Sequence, residues 1–144
     1  MSNLIVGNIV SKNKVKDIKI MVGGLPKQKN PPWNYRAPFS PIDVIEEYTR
    51  PARIKINNEI IVKEALSDIQ NVEVEGIGEL EAFLTDGLRT LLNSDKKISQ
   101  VPNFSEYTIR YPGHADLVKN LIDNGGFTRE KREDTCQELF EHWK

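Results

Sequence analysis

The sequence predicts an α+β domain with a single mixed, mainly antiparallel β-sheet and helices covering one face. Three features carry that prediction. Period-2 alternation recurs in several short runs, an Asn-Asn break separates two β-rich runs, and stripes of helical period dominate the C-terminal end. A chain of 144 residues buries about two-thirds of its unfolded surface, enough for one core without staples.

From the N-terminus, the mostly apolar residues 3–10 predict a helix that Ser2 or Asn3 can cap. In VKDIKIMV, Ile18, Ile20 and Val22 alternate with Asp17, Lys19 and Met21, giving a half-buried strand that Gly23-Gly24 and Pro26 end. Residues 27–39 lack periodicity but hold Trp33 and Tyr35, aromatics rarely left in water, so a long ordered loop is expected there, running on to Pro38. Ser40 as cap, Pro41 at the first helical position and Asp43 three residues after the cap open a short helix through SPIDVIEEYT. RIKINNEIIVKEA reads as a hairpin, because asparagine at 57 and 58 tolerates the positive φ of a type I′ turn. VEVEG and ELEAFLT follow as strands, Asp86 caps a short helix through GLRTLLN, and residues 93–103 read as polar loop. EYTIRY is strand-like. Leu117, Val118, Leu121 and Ile122 then share a helical face that Asn124-Gly125-Gly126 closes. Thr128 caps a last helix in which Cys136, Leu139, Phe140 and Trp143 fall at i, i+3, i+4 and i+7, a stripe that reads as a docking face.

Composition narrows the function classes. A net charge of -1 with charges of both signs gives no electrostatic footprint for nucleic acid. Cys136 is the sole cysteine, which excludes an intrachain disulfide, and His114 and His142 lie too far apart in sequence for zinc-type spacing, so no metal is expected. No run approaches the roughly 18 apolar residues of a membrane span and no basic leader is visible, so a cytoplasmic chain without membrane contact is expected.

VEVEGIGELEA invites comparison with a dinucleotide fingerprint, because Gly76 and Gly78 follow a strand. The position that should be small is Glu81, Glu79 would set a carboxylate beside the pyrophosphate, and ELEAFLT reads as a strand where a helix is needed. A turn between strands is the simpler reading. Glu46 and Glu47 point about 100° apart on a helix, so at most one should face a given site, and a solvated face is the default. Tyr48 and Arg50 read as surface or packing residues, although an arginine fork there could orient a carboxylate. Asp86 is accounted for as a cap. Nothing around Cys136 points to a depressed thiol pKa, so core or interface is its simpler role.

TIRYPGH, residues 108–114, is the richest run. A strand ending in Arg110 and Tyr111 breaks at Pro112-Gly113 and launches a helix at His114, setting polar groups beside free helix N-terminal N–H donors, where anions bind. A helix N-terminus would also depress the His114 pKa and favour neutral imidazole. A structural histidine at a turn is the bland alternative.

Four stretches in order, VGGLP at 22–26, FSPIDVIEEYTRPARI at 39–54, GIGELEAFLTDGLRTLL at 76–92 and RYPGHADLVKNLIDNGGF at 110–127, resemble the saccharopine dehydrogenase-like family, particularly its lysine 6-dehydrogenase-like members. Such enzymes are two-domain NAD(P)-dependent oxidoreductases acting on a carbon bonded to an amine or imine nitrogen. The resemblance implies that residues 1–144 are a single substrate-binding and dimerisation domain with the N-terminal Rossmann domain absent. It implies that this chain binds no cofactor, that NAD or NADP serves the complete enzyme, and that the isolated chain is inactive. It also implies an amino-acid substrate and a homodimer, and either an expressed fragment or a separately encoded half that needs a Rossmann-domain subunit as partner. On the residues that match, Arg110 becomes a clamp for a substrate carboxylate and His114 a catalytic, proton-handling group, with Tyr111, Tyr48, Thr49 and Asp86 as further substrate-binding residues. The alternative is a non-catalytic homodimeric interaction domain derived from that family.

Overall fold

Six strands and four helices make up the computed structural model, which describes residues 2–37, 40–93 and 97–143. Pro38, at the end of the loop expected over 27–39, and residues 94–96 of the loop expected over 93–103 lie outside the described residues. In chain order the elements are α1 (Ser2–Lys12), β1 (Asp17–Val22), α2 (Pro41–Thr49), β2 (Ala52–Ile56), β3 (Glu59–Lys63), β4 (Gln70–Val74), β5 (Gly78–Leu84), β6 (Asn103–Arg110), α3 (His114–Asp123) and α4 (Arg132–Trp143). Short 3₁₀ turns at Arg89–Asn93 and Ile98–Gln100 join β5 to β6.

All six strands form one mixed sheet in the order β3-β2-β6-β5-β4, with β1 added to β6. Among the described residues only the β1–β6 pair is parallel and the other pairs are antiparallel, as the hairpin signals require. Asn57 and Asn58 turn the β2–β3 hairpin at φ 51° and 71°. The central strand is β6, whose Phe104, Glu106, Thr108 and Arg110 face the helices while Tyr107 and Ile109 face the other side.

Two apolar clusters fill the helical side. One joins α2, α3 and α4 through Val44, Ile45, Tyr48, Val118, Leu139 and Trp143 with Trp33 and Tyr35 of the loop; the other joins α1 to Leu88, Leu91, Ile98, Val101 and Phe104. Burying each such Val, Leu or Ile stabilises by about 1.5–3 kcal/mol. Between the clusters the same sheet face is polar. The opposite face holds a cluster made of strand residues alone, among them Ile54, Leu84 and Tyr107.

Several local expectations are corrected. Asp86 does not cap a helix: the segment forms only the 3₁₀ turn at Arg89–Asn93, and the carboxylate instead takes two 2.8 Å bonds from the Arg53 guanidinium. A bidentate charged pair outcompetes a neutral backbone donor. Ser40 holds the cap position of α2 without a side-chain bond. Thr128 likewise does not start the last helix, which begins at Arg132; its hydroxyl closes the preceding turn on Gly125 O at 2.9 Å. Asn3 is no cap either, since its amide reaches Thr90 at 3.1 Å. The segment after the 3₁₀ turn is not simply polar loop, because Ile98 and Val101 are buried. The Cys136 stripe is not a free docking face: Leu139 and Trp143 are core residues, and only Phe140 is exposed. Among the described residues no helix is long and apolar enough to cross a membrane.

Candidate functional site

Helix α2 presents two stripes. Val44, Ile45 and Tyr48 go into the core, and Asp43, Glu46, Glu47 and Arg50, at i, i+3, i+4 and i+7, line a groove over the polar strip of the sheet. The groove is floored by Thr108 and Glu106 of β6 with Thr85, and its far wall is Asp86, Gly87 and Arg89. Its inner cavity measures about 370 Å³. Arg50, Asp86 and Arg89 are shared with a wider opening of about 880 Å³ that also reaches Arg53 and Thr90. Both Glu46 and Glu47 line this groove, contrary to the expectation of at most one, because the groove runs along the helix and Glu47 reaches the sheet while Glu46 stays at the surface. Glu46 is held by Arg50 at 3.3 Å and Arg132 at 2.5 Å. Those arginines hold its carboxyl below the ordinary range, chiefly through the Arg132 hydrogen bond.

Behind the groove lies a buried polar string. His114 Nδ1 is 3.1 Å from the Trp33 carbonyl, which can only accept, so Nδ1 carries the proton and Nε2 of the neutral ring is an acceptor. The Tyr48 hydroxyl, 2.9 Å away, must therefore donate to Nε2, and Arg110 Nε donates to the same hydroxyl oxygen at 3.2 Å. Arg110 also donates to Ile109 O at 2.9 Å, lies 4.5 Å over the Tyr35 ring and comes within 3.8 Å of Glu47. Thr108 spends its proton on Glu47 at 2.5 Å and so accepts from Thr85 at 2.9 Å. Donation runs one way, from Arg110 through Tyr48 and His114 to Trp33. Protonating His114 would set Nε2–H against a hydroxyl that already receives Arg110. Its pKa falls to about 4: burial lowers it most, the Trp33 bond opposes this in part, and the Arg110 charge adds a smaller push downward. Burial likewise raises the Tyr48 pKa.

Three of the residues expected at a site are thus brought together: Tyr48, Arg110 and His114. They are walled in, with His114 only 1% and Arg110 only 4% exposed. The guanidinium expected to clamp a substrate carboxylate is already engaged by protein groups. Tyr111 stands apart, its hydroxyl on Pro26 O at 3.3 Å and its ring under Lys29 Nζ at 4.4 Å. Thr49 bonds back to Ile45 O at 2.9 Å. Asp86 does line the groove; burial pushes its pKa up, but Arg53 more than offsets this and holds it below the usual range. The Cys136 thiol is pushed up by burial.

The α3 N-terminus, expected to be open to an anion, already has one. Glu81 of β5 accepts from Gly113 N at 3.0 Å and Ala115 N at 2.5 Å. Gly113, at φ 91°, supplies the left-handed turn that points these donors at it. Glu81 is also the residue that spoils the dinucleotide fingerprint. Gly76 and Gly78 lie at the tight turn joining antiparallel β4 and β5, and a strand follows, so these residues do not fit a pyrophosphate.

Arg89 and Glu106 escaped the sequence reading, whereas Arg50 was weighed as a carboxylate fork but read as surface or packing, and Glu47 as part of a solvated face. Alternation in FSEYTIR carried a usable signal: Glu106, Thr108 and Arg110 share a face of a strand whose other face is apolar. Among the described residues no group of three His, Cys, Asp or Glu side chains is placed to hold a metal ion.

The fold is similar to that of saccharopine dehydrogenase (L-Glu forming) from Saccharomyces cerevisiae, with a TM-score of 0.66 at 19% sequence identity over 85% of this chain and 29% of the yeast chain. This chain therefore spans less than a third of that protein's length. Residues 1–142 match the family model of the saccharopine dehydrogenase C-terminal domain, and the chain belongs to that family.

Proposed function

We propose that this domain is the substrate-binding and dimerisation part of an NAD(P)-dependent saccharopine or lysine dehydrogenase-like oxidoreductase, acting on the CH–NH group of an amino acid. The observation that carries this reading is the presence of both guanidinium and carboxylate groups in the lining of the groove. Arg50 on α2 and Arg89 on the far wall supply guanidinium groups, while Glu47, reaching down from α2, and Glu106 on the floor supply carboxylates. An amino acid offers the matching pair, a carboxylate for a guanidinium fork and an ammonium for the acidic floor. Family membership supports the class of enzyme.

His114, Tyr48 and Arg110 act here as positioning residues. Their string holds Arg110 beside Glu47, and so fixes the groove's acidic wall without touching substrate. Asp86 serves by fixing Arg53 at the rim. Tyr111 and Thr49, outside the lining, make no contact with substrate. The nicotinamide dinucleotide is held by a separate Rossmann domain, and proximity catalysis needs both halves. The chain alone should reduce neither NAD nor NADP with L-lysine or saccharopine, and the same assay with a Rossmann-domain polypeptide added should give turnover. Turnover by the chain alone would refute the division of labour.

A second reading, a non-catalytic homodimeric domain, is favoured by the other sheet face. Its apolar cluster has no helix over it, and Met21 and Ile56 are 38% and 42% exposed there. A dimer that binds no amino acid at the groove would favour this reading.

A further inference from the structure

The groove's carboxylates are not alike. Glu46 is paired with two arginines, Asp86 with Arg53, and Glu47 accepts from Thr108. Glu106 is only 9% exposed, yet among the described residues its side chain has neither a hydrogen bond nor an ion pair. It faces the cavity, with Glu47 and Asp86 as like-charged neighbours and Arg89 as the nearest opposing charge. Burial and Glu47 together push its pKa up, and Arg89 only partly reverses this.

The backbone makes room for this carboxylate. A Cβ on Gly87 would lie 1.5 Å from Glu106 Oε1 and 2.9 Å from Oε2, so a larger residue there would push the carboxylate out of its present place against the far wall. A largely buried carboxylate that opens onto a groove and has no protein donor is poorly solvated, and the groove that houses it suits a cation.

We propose that Glu106, lying under Gly87 with Glu47 beside it, is a subsite for a primary alkylammonium group. The idea rests on the amino-acid reading of the groove and makes it specific: the ammonium enters between α2 and Gly87 and donates to Glu106 and Glu47, while a carboxylate on the same molecule lies toward Arg50 and Arg89. An –NH₃⁺ group has three donors, enough for both carboxylates and one more acceptor.

The test uses the ¹⁵N-labelled full chain titrated with pentylammonium, pentanoate, magnesium chloride and L-lysine, for wild type and Glu106→Gln. Glutamine keeps the shape and removes a buried charge, so the variant is expected to fold. Pentylammonium should shift the Gly87 and Thr108 amides saturably, pentanoate should not, and E106Q should weaken pentylammonium by about tenfold or more, as loss of a charge-assisted bond implies. Equal pentylammonium affinity in the two proteins, or tighter binding of magnesium at the same amides, overturns the subsite. If L-lysine binds both proteins equally, the amino-acid reading stands and the subsite falls. If pentylammonium binds through Glu106 but L-lysine does not bind, the subsite stands and the amino-acid reading falls.

Discussion

His114 makes the fold acid-labile in a way that one substitution can isolate. The ring titrates near its ordinary 6.5 in the unfolded chain and near 4 in the fold, so between those values the unfolded state binds more protons. Stability from this residue is complete above pH 6.5 and is lost as pH falls toward 4. At about 1.36 kcal/mol per pH unit the loss comes to about 3 kcal/mol. His114→Gln cannot titrate. It also fits the Tyr48 and Trp33 bonds imperfectly, so at pH 7.5 it should be less stable than wild type by about 1–3 kcal/mol. Urea unfolding of both proteins from pH 7.5 to 4 gives the difference directly, because every other titrating group cancels. The gap should close, and near pH 4 the variant should equal or exceed wild type. A gap that stays constant between pH 6.5 and 4 would refute the neutral, donor-to-Trp33 histidine on which the polar string depends.

Other outcomes follow from the same geometry. Glu106→Gln should raise stability at neutral pH by up to about 1 kcal/mol, since a poorly solvated carboxylate at the groove floor is removed. Because the folded pKa of Glu106 is raised, that gain should be absent below pH 4.5, grow as pH rises and level off above the folded value; a gain already present at pH 3 would count against it. Glu81→Ala should cost about 2–3 kcal/mol in urea unfolding by stripping the α3 N-terminus of its acceptor, and a cost below about 0.5 kcal/mol would show that water replaces it. Sedimentation should give twice the 16.5 kDa chain mass at micromolar concentration, reverting to monomer in Met21→Lys/Ile56→Lys; a wild-type monomer would remove the sheet-face dimer.

Local patterns were readable where a local cause decides the structure. Asn57 and Asn58 set their own turn, the alternation in β1 matches its half-buried face, and Pro41 opens α2 unaided. The failures share a physical origin. Asp86 and Thr128 have the chemistry of caps, but Asp86 finds an arginine 33 positions away and Thr128 closes a turn before the helix. The α3 N-terminus was legible as an anion site, whereas its anion, Glu81, reaches it from across the sheet. TIRYPGH supplied the expected clamp and proton-handling group, and the structure buries both. Its arginine and histidine face inward, and the groove beside them is lined by Glu47, Arg50, Arg89 and Glu106, which the α2 stripe, the turn after β5 and β6 bring together.

Calorimetric titration of L-lysine into the full chain, wild type against Arg50→Met/Arg89→Met, tests the amino-acid groove most directly. The account predicts saturable one-to-one binding to wild type, weakened by about tenfold or more in the double variant, as the loss of charge-assisted bonds to a carboxylate implies. Binding of equal strength in the two proteins would contradict it.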